Sequence, residues 1–119
     1  MRLRTSLAAA LGAFALVLTL PTAATSAPAA ALGEFRYTYV GIDGQPRTAR
    51  LDDPQSGECV TLPEVADPDA SQPAHSPRNR TTSTATVFTE PGCDGDYFTL
   101  RPLTGRGSER LKLRSVVFS

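Results

Sequence analysis

Hydrophobic and polar positions in this chain alternate in short runs separated by turn residues. Residues 34–40 read Glu-Phe-Arg-Tyr-Thr-Tyr-Val, with Phe35, Tyr37 and Tyr39 on one side and Arg36 and Thr38 on the other. A period of two is the mark of a strand with one buried face. Asp43-Gly44 then supplies hairpin chemistry. Residues 47–51 form the return strand, which follows Pro46 and has little apolar character, as expected of an edge. After a loop at 52–57 comes a third strand, 58–62, with Val60 and Leu62 on one face and Pro63 as its stop.

The C-terminal part repeats this grammar. Residues 84–89 and 96–101 are rich in Thr, Val, Phe and Tyr, and Pro91-Gly92 and Asp94-Gly95 lie between them. That is strand, turn, strand. A Gly-containing loop at 102–108 leads to 109–114, where Leu111 and Leu113 alternate with Arg110, Lys112 and Arg114. A last strand at 115–119 carries Val116 and Phe118 on one face. No stretch has a helical stripe. The expected class is all-β: a small Greek-key sandwich of about seven short strands.

Two stretches fall outside this pattern. Residues 64–83 hold Pro68, Pro73 and Pro77 among Ser, Asp, Asn, Thr and Arg, and predict a long irregular loop. Loops of that length in small domains are either functional or disordered, and both readings stand at this point. At the other end, Met1-Arg2-Leu3-Arg4 precedes an uncharged run at 7–20 and small residues at 21–27. Basic start, apolar middle and small-residue end describe a secretory signal peptide over 1–27. The apolar run is shorter than the roughly 20 residues that span a bilayer; a retained anchor is the alternative reading. Cleavage fits after Ser26, Ala27 or Ala31. The absence of a nearby cysteine excludes a cysteine-linked lipid. A flexible tail at 28–33 and one β domain at 34–119 are expected to follow, in a secreted, extracellular protein.

Charge narrows the choice of partners. The chain has 12 basic and 12 acidic residues. Without Arg2 and Arg4 the balance is ten against twelve, a formal −2, which argues against general binding to nucleic acid or to an anionic membrane. Eleven Arg against one Lys, with abundant Ala, Pro and Thr, points to a GC-rich bacterial genome. Cys59 and Cys93 are the two cysteines, and a disulfide between them is the expected pairing in an exported chain. Such a crosslink contributes about 3–4 kcal/mol in the loop-entropy account, which matters for a domain with so thin a core. A catalytic or metal-binding cysteine is the alternative, disfavoured because there is no Cys-x-x-Cys pair and no ligand spacing to the single histidine.

Candidate chemistry is sparse. His75 lies beside Ser76, but a general base needs an oriented partner as well as a nucleophile. Asp52-Asp53, Asp67/Asp69 and Asp94/Asp96 sit where turns favour Asp, and none has EF-hand spacing. No catalytic residue, metal ligand or cofactor is assigned. Arg78-Asn79-Arg80-Thr81 is a basic patch that reads as a solvated loop, a contact for an acidic partner, or a protease-facing site. Asn79-x-Thr81 matches a glycosylation acceptor, which would require a eukaryotic secretory route. The Phe35/Tyr37/Tyr39 face is core, with one ring available at the rim as an anchor. Leu32, Gly33, Phe35, Arg78 and Arg80 are the expected partner-binding residues.

The pattern Val87-Phe88…Cys93-x-Gly95…Tyr97-x-x-Leu100…Leu111-x-Leu113-x-Ser115-Val116-x-Phe118 resembles a βγ-crystallin-type Greek key over about thirty-five residues. Residues 34–62 would then be a degenerate second key. Calcium-binding members of that family carry paired Asn or Asp ahead of a Ser/Thr-Ser. With the final Ser matched to Ser115, Arg110 and Leu111 stand in those places, so the resemblance implies no calcium site there. The whole chain is also similar to small secreted proteins of high-GC Gram-positive bacteria. Among these are the adaptor subunits of umbrella toxin particles, which join a stalk protein to a lectin subunit. Those adaptors are non-catalytic and engage their partner through a flexible N-terminal segment, a part that 28–33 would play here. The expected function is a non-enzymatic adaptor that binds another secreted protein. The competing expectation is a protease inhibitor that presents Arg78 or Arg80 on the 72–83 loop, braced by the disulfide. A hydrolase using His75 is a third.

Overall fold

Two four-stranded antiparallel sheets, packed face to face, make up residues 29–119 of the computed structural model. The signal peptide expected over 1–27, and Pro28, lie outside the described residues. The strands are β1 (Gly33–Val40), β2 (Pro46–Asp52), β3 (Cys59–Thr61), β4 (Ala74–Thr81), β5 (Ala85–Glu90), β6 (Asp94–Leu100), β7 (Lys112–Leu113) and β8 (Ser115–Phe118). A 3₁₀ turn, Pro63–Val65, follows β3.

The first sheet runs β2-β1-β4-β7 and the second β3-β8-β5-β6. The first four strands and the last four therefore form two consecutive Greek-key units. Each unit sends its third strand into the other's sheet: β3 borders β8, and β7 borders β4. The expected edge strand at 47–51 is β2, which lies at the edge of the first sheet.

The alternation in β1 has the predicted consequence. Phe35 and Tyr37 are buried on the inner face, and Tyr39 is half-buried. Val87, Val116 and Phe118 from the second sheet meet them, joined by Leu62, Val65, Leu100 and Leu113. Burying each large apolar side chain contributes about 1.5–3 kcal/mol. The Cys59–Cys93 disulfide ties β3, the strand the first unit lends, to the β5–β6 turn of the second. At that turn Ser115 accepts from the Cys93 N–H at 2.8 Å and donates to the Glu90 carbonyl at 2.6 Å.

Four expectations are corrected. The irregular stretch at 64–83 contains β4, an eight-residue strand paired with β1 on one side and with β7 on the other. Its inward positions are Pro77, Asn79 and Thr81, all buried, and its outward positions are Arg78 and Arg80. The described part of the expected flexible tail is docked. Ala31 is fully buried, its N–H donates to the Pro54 carbonyl, and Leu32 exchanges bonds with Thr82. Gly33 belongs to β1 at φ +114°, and a Cβ there would overlap the Arg80 carbonyl oxygen. Phe35, expected at a binding surface, is a core residue with no exposure. The strand expected at 109–114 shortens to β7.

Candidate functional site

The outer face of the first sheet is built by register. Residues directly opposite on antiparallel neighbours share a face. Asp52, Glu34 and Arg80 form one row across β2, β1 and β4, and Arg50, Arg36 and Arg78 form the next. An isolated bridge sets Arg106 opposite Arg78, so four arginines stand side by side. Glu34 pairs with Arg36 at 2.6 Å, and Asp52 with Arg50 at 3.3 Å. Among the described residues no carboxylate forms an ion pair with Arg78, Arg80 or Arg106. These three side chains line a shallow cleft of about 400 Å³ with Leu103, Thr104 and Gly105.

Asn79, beneath this cleft, holds the loop that completes it. Its buried amide nitrogen donates to the carbonyls of Ser83, Leu100 and Arg101 at 2.8, 3.3 and 3.0 Å. Its oxygen accepts from the Thr81 N–H and hydroxyl. Residues 103–107 then run along β4: Leu103 donates to Thr81, Asn79 to Gly105, and Gly107 to Pro77, through backbone groups. This placement leaves Leu103 59% exposed at one side of the Thr81–Thr82 backbone, with Leu32, also 59% exposed, bonded to Thr82.

Four of the five expected contact residues, Leu32, Gly33, Arg78 and Arg80, thus gather at one end of the first sheet. Phe35 lies in the core behind them. Arg36 and Arg50 alternate onto the solvent side as their strands predict, but their alignment with Arg78 depends on a strand the sequence pattern concealed. Arg106 and Leu103 sit in a loop, and no periodic signal marked them.

The same geometry bears on the other candidates. Arg78 and Arg80 lie on a strand whose backbone is bonded on both sides, so the projecting loop on which the inhibitor reading depends is missing. Asn79 is fully buried with its amide engaged, which leaves no acceptor for a glycan. His75 Nδ1 lies 2.8 Å from Ser76 Oγ, and Ser76 has φ +54° at a bulge of β4. Neither residue lines a cleft described here. Among the described residues no cluster of three or more His, Cys, Asp or Glu is placed to hold a metal, and no helix is long and apolar enough to cross a membrane.

A second groove, about 990 Å³, separates the β1–β2 hairpin from residues 63–72. Ile42 stands fully exposed at the hairpin tip. The buried Arg114 anchors the far wall by donating to the carbonyls of Val65 and Ser71 at 3.0 and 2.8 Å. Glu64, which lines this groove, accepts from the Tyr37 hydroxyl at 2.6 Å. Burial first, and then the Glu64 hydrogen bond and charge, raise the Tyr37 pKa above its ordinary 10.0.

No protein-family model matches this chain, and no curated protein or solved structure does so either.

Proposed function

We propose that this chain is a secreted, non-catalytic β module that binds another protein and serves as an adaptor in an extracellular assembly. The observation that carries the reading is the pairing of two exposed leucines, Leu32 and Leu103, with arginines that have no carboxylate partner among the described residues. Arginine is enriched at protein interfaces, and the exposed leucines beside it supply apolar area to bury. The signal-peptide pattern at 1–27 and a disulfide, which persists in oxidising compartments, support export. The Greek-key strand order is in keeping with the βγ-crystallin-like reading of the C-terminal half. The similarity to umbrella-toxin adaptors is the reason to read the assembly as a toxin particle. Because 29–33 are docked on the domain, the contact is assigned to folded surface and not to a loose tail.

The test is native purification of the exported protein from culture medium. The wild-type chain should retain a stoichiometric protein partner, and Leu32→Asp with Leu103→Asp should release it while the melting temperature holds. A wild-type chain that elutes alone under gentle conditions removes the adaptor reading.

A further inference from the structure

We propose that the outer face of the first sheet is a docking site for an acidic peptide: an extended partner segment with carboxylates at alternate positions, seated over Arg78, Arg80 and Arg106. This rests on the adaptor reading and names the chemistry of the partner.

The charge distribution is the first argument. The described residues carry ten cations against twelve acids, yet five of those cations, Arg36, Arg50, Arg78, Arg80 and Arg106, occupy one sheet face. Like charges directly opposite one another on paired strands are destabilising. Arg36, Arg78 and Arg106 are so placed; Glu34 and Asp52 form their ion pairs with Arg36 and Arg50, and Glu34, although opposite Arg80 in register, forms none with it. The uncompensated side is the one beside the cleft and the two leucines. A face that costs the free protein stability becomes favourable when an anion covers it.

Geometry selects the form of the anion. Arg78 and Arg80 are two residues apart on one strand, so their stems are separated by roughly 6.7 Å, the same interval that separates alternate side chains of any extended peptide. Arg106 lies about 5 Å to the side, the spacing of neighbouring strands. Guanidinium groups take carboxylates in two-pronged, charge-assisted bonds. Two features disfavour a long polyanion such as nucleic acid or a sulfated glycan. A polyanion that extends past Arg80 along its row meets Glu34 and Asp52, and Leu32 and Leu103 offer such a ligand nothing to bury against them. A short acidic stretch with apolar neighbours satisfies both ends of the site.

The experiment uses the intact exported chain and a synthetic eight-residue peptide of alternating glutamate and serine flanked by leucines, read by calorimetry at low and physiological salt. Binding should weaken with salt. The Arg78→Gln/Arg80→Gln double variant should bind about tenfold or more weakly, as expected for loss of charge-assisted bonds. Arg106→Gln should weaken binding to a lesser degree. Arg47→Gln, on the hairpin away from this face, should change nothing. Arg78→Gln alone, which relieves the Arg36, Arg78 and Arg106 row and leaves Arg80 opposite Glu34, should melt at or above the wild-type temperature. Equal binding by the double variant, no binding by wild type, or tighter binding of a heparin-type oligosaccharide of matched charge overturns the proposal. If the native partner stays with the double variant as it does with wild type, the acidic-segment site is wrong and the adaptor reading survives. If wild type binds the peptide but recovers no partner, the adaptor reading falls and the site stands.

Discussion

Phe35 and Phe118 meet edge to face between the two sheets, with ring centroids 5.4 Å apart and planes at 81°. One ring comes from β1 and the other from the last strand, so this contact joins the two ends of the described chain. Both are fully buried. Truncating either ring should leave a cavity that so small a core cannot close, and Phe118→Ala is expected to cost about 3–5 kcal/mol. Urea denaturation of the two proteins measures this directly. A loss of only about 0.5 kcal/mol would mean that the sheets do not meet here, since surface substitutions have effects of that size.

Asn79 should prove as costly to remove as a core aromatic. Its amide serves three carbonyls, and its oxygen serves Thr81. Asn79→Ala leaves several buried polar groups without partners, at about 1–3 kcal/mol for each one that water does not reach. Because the same amide positions the 101–107 loop, peptide binding at the arginine face should fall as well. Hydrogen exchange should show loss of protection at Leu103, Gly105 and Gly107 ahead of the rest of the sheet.

That residue also explains why β4 escaped the sequence pattern. A strand is recognised by apolar side chains at every second position, and β4 turns Pro77, Asn79 and Thr81 inward in their place. The alternation exists, but it alternates arginine with residues that usually mark loops. Pro77 is tolerated because it follows the bulge, where register is already broken. Elsewhere, period two marks Tyr37, Val116 and Phe118 as inward residues, and it marks Phe35 likewise, against the contact role also expected of that ring. Arg78 and Arg80 were legible as a basic patch. Their neighbours Arg36 and Arg106 were not, because cross-strand adjacency is a property of register and not of local sequence.

Reduction should weaken the fold without dismantling it at moderate temperature. The Cys59–Cys93 bond closes a loop with a separation of 34 residues, and opening it should cost about 3–4 kcal/mol. Denaturation midpoints with and without reductant give the value, and a Cys59→Ser/Cys93→Ser chain should match the reduced protein. Retention of the full wild-type midpoint in reductant would show that the bond contributes nothing.

Alkaline pH should destabilise the protein through Tyr37. Its pKa in the folded state lies above the ordinary 10.0 that it regains on unfolding. Above that ordinary value the folded protein holds a proton that the unfolded chain has released, so stability falls as pH rises. Below it the contribution is complete and independent of pH. Urea melts from neutral pH to about 11 should show a steeper alkaline decline in wild type than in Tyr37→Phe. Parallel curves would mean that the phenol is not held as described.

The loan of β3 and β7 between the two sheets has a consequence for how the chain can be divided. Neither half owns a finished sheet: residues preceding β5 lack the border that β7 supplies, and those following β4 lack β3. A break in the short joint between β4 and β5 disturbs the Thr82 and Ser83 bonds but leaves the two pieces clasped, with the Cys59–Cys93 bond still joining them. Either piece made alone has an open seat that only its complement, or a second copy of the whole, can fill.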